Sequence, residues 1–382
     1  MDVIWNGVRL FVAGPDTGPV EDPHGGPFAV GVRFRPGVGP LFLGVPAATL
    51  RDARVGLGEL WPTACHVEDE LAQQGSAVAA AGVLEAALRS RLGGCLRPDP
   101  VVEHAARRFL LAEGRLLERR IAEVVFDGAD AAAALAALRS YRNADGGFGQ
   151  ALEPDNRASV SQPLCLETAL KVMEALGTVD RATVLGACDY LRALGPGVGC
   201  LTADGLRAPR AAHWGTWATE PSLNPTAGIV ARLWRWDVAH PWREEATAFC
   251  WTALERGLPS EAHSFGEVLD FLEAVGDRDR AEAWAPRLGP AVASLSPFHL
   301  EPGSDQYGLN PLYFAPGPTS RWRQLFVPGV LDRHLDALVA AQQDDGGWPI
   351  SWETVGLAAR REWRGVETVR ALRTLAAYGR LE

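Results

Sequence analysis

The chain has 382 residues, 47% of them hydrophobic and 22% charged, and carries a net charge of −10. That balance excludes a disordered polymer, and the acidic surplus argues against a phosphate-backbone partner, so no nucleic acid is expected. No stretch of about 18 uncharged apolar residues occurs, so no transmembrane helix is expected. The six cysteines form no CxxC pair and lack metal-ligand spacing, which reads as small buried hydrophobes in a reducing compartment. The first residues, MDVIWNGVRLFVAG, lack the basic and apolar blocks of a signal peptide, and a cytoplasmic protein is expected.

Taken in chain order, residues 1 to about 60 read as short strands and turns. Val3-Ile4-Trp5, Val8 to Val12, Phe28 to Phe34 and Leu41 to Gly44 are apolar. Clusters such as Gly14-Pro15-Asp16 and Asp22-Pro23-His24-Gly25-Gly26 separate them. The stretch 75–92 is rich in Ala and Leu with helical period, and Leu96 to Pro100 breaks the chain. Beyond Pro100 the periodicity predicts helices near 102–126, 129–142, 161–176, 181–194, 223–236, 241–256, 261–275, 278–294, 328–342 and 362–378. Gly- and Pro-rich loops between them point to stacked helical hairpins. The expected class is mainly α, preceded by a small partial α/β segment rich in β. The expected domains are 1–100 and 101–382.

An internal repeat supports the helical reading. Asp145-Gly146-Gly147-Phe148 recurs 200 residues later as Asp345-Gly346-Gly347-Trp348, and the match runs without a gap through Glu153/Glu353 and Glu167-Thr168/Glu367-Thr368. Each copy ends one helix and leads through a loop into another. The glycines suit a helix C-cap and tight reversal, the Asp can accept freed backbone N–H groups, and the aromatic fills the gap between hairpins. A fainter echo is Ala203-Asp204-Gly205-Leu206.

Gln342-Gln343-Asp344-Asp345-Gly346-Gly347-Trp348 resembles the QW-type repeat of the terpenoid cyclase and protein prenyltransferase superfamily, and Arg142 to Phe148 resembles a variant of it. The resemblance covers about 101–382. It implies an α/α toroid, two rings of helices around a central cavity. A second resemblance covers residues 1–100. Val12 to Thr17, Val30 to Gly37 and Leu43 to Ala47 are similar to part of the ligand-sensing N-terminal region of AraC-type regulators. The helix-turn-helix units that follow in those proteins are replaced here by the toroid-like region.

The residues for the superfamily's reactions are not found at motif level. There is no DxDD acid run, no zinc-ligand spacing around Cys250 and His263, and no DDxxD cluster, so neither metal nor cofactor is expected. Polar and aromatic residues on the inter-helix loops remain. In Leu152 to Arg157, Glu153 and Asp155 are a carboxylate pair beside a repeat turn, suited to acid/base work. They equally suit a helix cap and an ion pair with Arg157. His213, Trp214 and Trp217 suit stacking on a substrate or closing a core. Asp305 and Tyr307 sit in a long loop, 296–327, of the kind that covers sites. Trp352, Glu362 and Trp363 flank the last helix, where Glu362 is also placed to pair with Arg361 or Arg364.

Three functions stay open. The first is a terpenoid-cyclase-like protein holding an apolar isoprenoid in a Trp-lined cavity, with Asp155, Asp305 or Glu362 replacing the missing DxDD acid. The second is a carbohydrate-active α/α-barrel enzyme using paired carboxylates such as Glu153 and Glu362, with Trp stacked on a sugar. The third is a non-catalytic ligand-binding or regulatory protein. The sequence leaves oligomeric state open.

Overall fold

The computed structural model describes residues 2–16, 26–34, 43, 45, 47–61, 64–94 and 100–381. The chain divides into two compact units, 1–101 and 102–382. The structure is mainly helical, with one small antiparallel sheet at the N-terminal end.

In the first unit, β1 (Asp2–Trp5), β2 (Leu10–Ala13), β3 (Val30–Arg33) and β4 (Arg54–Gly56) form a sheet in the order β3-β1-β2-β4. The register sets Val3 opposite both Val12 and Val32, and Trp5 opposite both Leu10 and Val30. Strand alternation then sends Val3 and Trp5 to one face, where both are buried. The turn between β1 and β2 follows from Asn6, whose side-chain oxygen accepts the N–H groups of Val8 and Arg9. Among the described residues the unit also holds a 3-10 turn (Ala47–Leu50) and helices α1 (Leu57–Leu60), α2 (Ala64–Ala72) and α3 (Ala77–Gly94). Leu84 and Leu88 of α3 join the buried face of the sheet, and Glu68 of α2 accepts the backbone N–H of Leu10. The short helices and β4 escape the sequence reading because each is only a few residues long. The expected strand at 41–44 falls mostly outside the described residues.

The second unit starts in α4 (Pro100–Glu113) and α5 (Leu116–Asp127). The sequence predicts one helix over 102–126. The chain instead turns at Gly114-Arg115, where Arg115 takes an extended conformation and grips Glu118 and the carbonyls of Ala151 and Leu152. Then come α6 (Ala132–Arg139), α7 (Pro163–Ala175), α8 (Arg181–Leu194), α9 (Leu223–Arg235), α10 (Pro241–Glu255) and α11 (Ala262–Ala274). The expected 278–294 helix divides into α12 (Arg278–Glu282) and α13 (Ala285–Val292). The expected long loop contains α14 (Pro311–Phe314). The chain ends in α15 (Val330–Ala340) and α16 (Leu357–Ala377).

α5 packs on α7, α7 on α9, α9 on α11 and α11 on α14, while α16 packs on α5. α9 is buried on every side from Pro225 to Leu233, as a helix enclosed by others must be. Gly228 lets α11 come close: a Cβ there would lie 1.5 Å from a carboxylate oxygen of Glu267.

The two repeat turns are built alike. Asn143 and Gln343 each donate to the carbonyl of the second glycine at 2.9 Å, and Asp145 and Asp345 accept that glycine's N–H at 2.9 and 3.0 Å. Gly146 and Gly346 have φ of +89° and +93°, the left-handed region that favours glycine. Phe148 and Trp348 are buried. Each turn docks on a helix backbone, the first on Gly186 of α8 and the second on Ala105 of α4.

Candidate functional site

The loops that lead into α7, α9, α11, α14 and α16 carry most of the residues singled out in the sequence. Asp155 lies in the first of them. It is buried, its Oδ2 accepts the indole N–H of Trp352 at 2.8 Å, and its Oδ1 accepts the backbone N–H of Val355 at 3.4 Å. Trp363, at the start of α16, stands edge-on to Trp352 with ring centres 5.1 Å apart. Tyr307 meets the other side of Trp352, also edge-on, at 5.4 Å. The segment 205–214 is tied to 154–157 through the backbone of Asp155 to Ala211 and the side chain of Asn156 to Gly205. That segment brings up His213, Trp214 and Trp217, whose rings follow one another at 4.8 and 5.5 Å.

Asp155, His213, Trp214, Trp217, Tyr307, Trp352 and Trp363 are thus brought to one region from four loops and from α16. Tyr307 and Trp217 are exposed, and Trp214, Trp352 and Trp363 are half-buried. The other acids stand differently. Glu362 forms an ion pair with Arg157 at 2.5 Å, rather than with Arg361, which meets Glu113, or Arg364, which grips Asp345 through both nitrogens. Glu153 is buried behind Asp155, with its Oε2 lacking a hydrogen-bond partner among the described residues. Asp305 is exposed on the loop two residues before Tyr307.

Electrostatics separate these acids. Burial, with the Asp155 charge adding to it, pushes Glu153 up to about 8, so it holds its proton at neutral pH. Burial raises Asp155 as well, against the opposing pull of the Trp352 N–H and of His213. Burial lowers His213, favouring the neutral ring.

Two residues of this region escape a sequence reading. Glu261 and His263 open α11, and His263 reaches Tyr307, 44 positions on, with Nε2 2.6 Å from the phenol oxygen. Nothing in the local sequence marks that pairing, because the partner lies on a distant loop.

Deeper in the unit lies a charged layer. Glu167 on α7, Glu267 on α11 and Glu367 on α16 are all buried and stand 100 residues apart in sequence. Lys171 bridges Glu167 and Glu267 at 2.8 and 2.9 Å, Arg370 pairs with Glu367, and Arg232 reaches Glu174 and Asp270 at 3.0 and 3.3 Å. Lys171, Asp270 and Arg370 keep 36%, 33% and 52% of their side-chain surface accessible. The helical spacing of Glu367 was legible from the repeat, but Glu267 has no DGG turn before it to announce its equivalence.

Among the described residues no three His, Cys, Asp or Glu side chains are grouped to hold a metal. No helix among them is long and apolar enough to cross a membrane. The chain matches no known protein family, no curated protein and no solved structure.

Proposed function

We propose that the second unit is an α/α toroid and that its aromatic loop cluster is the mouth of an enzyme acting on a carbohydrate-type substrate. The succession of contacts α5–α7–α9–α11–α14, with α16 returning to α5, supports the ring. One observation carries the substrate class: the aromatic rim of Trp352, Trp363 and Tyr307 carries charge beside its rings, with Asp155 bound to Trp352 and the charge of Arg370 reaching Tyr307. Charged groups bind hydroxyl groups well and cost a hydrocarbon its favourable burial, while indole faces stack on sugar rings. In this reading Glu153, protonated at neutral pH, is the acid reserve next to the rim, and Asp155 holds the indole of Trp352 in place.

A second reading, acid-initiated cyclisation of an isoprenoid, is favoured by the burial of Asp155, which keeps that carboxyl closer to its protonated form against the pull of the Trp352 N–H. For residues 1–100 the sensor-like reading is proposed on sequence motifs alone.

The deciding experiment is incubation of the whole protein with oligosaccharides, squalene and prenyl diphosphates, followed by mass spectrometry of the products. Cleavage or rearrangement of an oligosaccharide supports the first reading, and cyclised isoprenoid products replace it with the second. Thermal stabilisation by one ligand class without turnover would make this a binding protein. Trp352→Ala is expected to weaken oligosaccharide binding by ~10-fold, the loss of one stacking face at about 1.4 kcal/mol.

A further inference from the structure

The first turn of α11 fixes a carboxylate. Glu261 accepts the backbone N–H groups of His263 and Ser264 at 3.0 and 2.7 Å and the Ser264 hydroxyl at 2.8 Å. Its Oε1 also meets His263 Nδ1 at 2.5 Å. Burial works to raise Glu261, but these donors, His263 foremost, overcome it and hold the carboxyl at about 2. An ionised carboxylate can only accept, so His263 carries its hydrogen on Nδ1. In the neutral ring Nε2 is then bare, and at 2.6 Å it accepts the hydroxyl of Tyr307. In that neutral tautomer Tyr307 donates to His263, and His263 donates to Glu261.

This is the arrangement by which a carboxylate and an imidazole draw a proton from a hydroxyl, here a phenol. Both ends of the line reach solvent, the Glu261 side chain with 45% of its surface accessible and Tyr307 with 37%, and Tyr307 leans on Trp352, the central ring of the aromatic rim. Around the line stand Tyr313, edge-on to His263 at 6.3 Å, and the charges of Arg370 and Glu367; burial foremost, with Tyr313 and Glu367, pushes the Tyr307 phenol up against the pull of Arg370, so its proton leaves only towards a base such as His263. A latch between two loops needs only one hydrogen bond, whereas this line of two joins three side chains and ends on a tyrosine at the rim.

We propose that Tyr307 is a general base of this site, with His263 and Glu261 as its proton acceptor and positioning group. A hydroxyl of a substrate stacked on Trp352 gives its proton to Tyr307 Oη as the phenol proton moves to His263 Nε2. The substrate is left as an alkoxide, and the imidazolium formed keeps its Nδ1–H on Glu261. The return of the proton restores the resting state. The substrate class rests on the carbohydrate reading above; the relay does not.

Two measurements on the intact protein test the relay without a substrate. Nitrogen NMR of histidine-labelled protein should show neutral His263 with hydrogen on Nδ1, and Tyr307→Phe should shift its Nε2 signal. An aryl sulfonyl fluoride probe should modify Tyr307 ahead of the other tyrosines: the phenol oxygen bonds to sulfur, fluoride leaves, and the proton goes to His263. His263→Gln should slow that labelling by ~10-fold or more, and Glu261→Gln by less. Hydrogen on Nε2, or labelling indifferent to His263→Gln in a folded variant, overturns the relay. If His263→Gln unfolds, the tautomer of the unsubstituted protein decides alone. His263-dependent labelling without oligosaccharide turnover keeps the relay and removes the substrate class. Turnover that survives Tyr307→Phe removes the relay and keeps the substrate class.

Discussion

Asp155 accepts the indole N–H of Trp352 at 2.8 Å, across 197 positions of sequence. The carboxylate is buried, so this bond joins the loop before α7 to the loop before α16 out of reach of water. Replacing it with Asp155→Ala strands the indole N–H and the Val355 N–H, at a cost of about 1–3 kcal/mol for the unpaired donors. The expected result is a lower urea midpoint with unchanged slope, and a changed near-ultraviolet circular dichroism band as Trp352 loses its fixed orientation. An unaltered band would show that Asp155 does not hold the rim.

The repeat turns predict a matched pair of losses. A Cβ at Gly146 would lie 2.4 Å from the carbonyl oxygen of Gly186, and one at Gly346 lies 2.1 Å from that of Ala105. Both clashes are with backbone, and both glycines have φ near +90°. Gly146→Ala and Gly346→Ala should each cost more than the ~1 kcal/mol of φ strain alone, because a helix must move to relieve the contact. Gly379→Ala is the control: φ is +65° but nothing lies within 4 Å of the added Cβ. Thermal melts of the three variants should rank Gly379→Ala as the mildest.

Those glycines also show what was legible in the sequence. The turn is written locally, in an Asp that accepts a backbone N–H and a Gly that turns left-handed, so the repeat and the hairpins could be read. The gathering of Trp352, Trp363, Tyr307 and His213 was legible only as a set of suspects, since their meeting depends on how loops are carried by distant helices. The link from Glu261 through His263 to Tyr307 left no trace, because an acid two residues before a His is also an ordinary helix cap. The break at Gly114 was hidden by the apolar period that runs across it.

Lys171 bridges Glu167 and Glu267, whose side chains keep only 2% and 4% of their surface accessible, while Arg232 stands farther off, 3.8 and 3.9 Å from the same two carboxylates. Lys171→Met removes the closer cation and leaves the two buried carboxyl groups to Arg232 alone. Breaking such a pair costs about 3–5 kcal/mol; the part-exposed ammonium places this case towards the lower end. Burial pushes Glu267 up, and the charge of Glu167 adds to the shift, so Glu267→Gln supplies a neutral partner of the same shape. The double variant Lys171→Met/Glu267→Gln should therefore recover stability relative to Lys171→Met alone. Denaturation of the four proteins of this cycle measures the coupling, and simple additivity would count against the shared-cation arrangement.

Glu153 sets a pH dependence whose sign is fixed by its burial. The folded protein keeps the Glu153 proton up to about 8, whereas an unfolded glutamate releases it near ~4.3. Between those values the native state binds more protons, so stability falls as pH rises, by at most about 1.4 kcal/mol per pH unit for one such group. The contribution is whole below pH ~4 and is lost by the time pH passes 8. Glu267, Asp270 and Glu367, all raised by burial, act with the same sign, while Glu261, held at about 2, acts only in acid below this window. Glu153→Gln keeps a neutral side chain of the same shape and has no proton to lose. Melting temperatures at pH 5, 6.5 and 8 should fall for the natural protein and fall less for Glu153→Gln, the gap widening with pH until the variant is the more stable at pH 8. Parallel curves would place the proton elsewhere and remove Glu153 as the acid next to the aromatic rim.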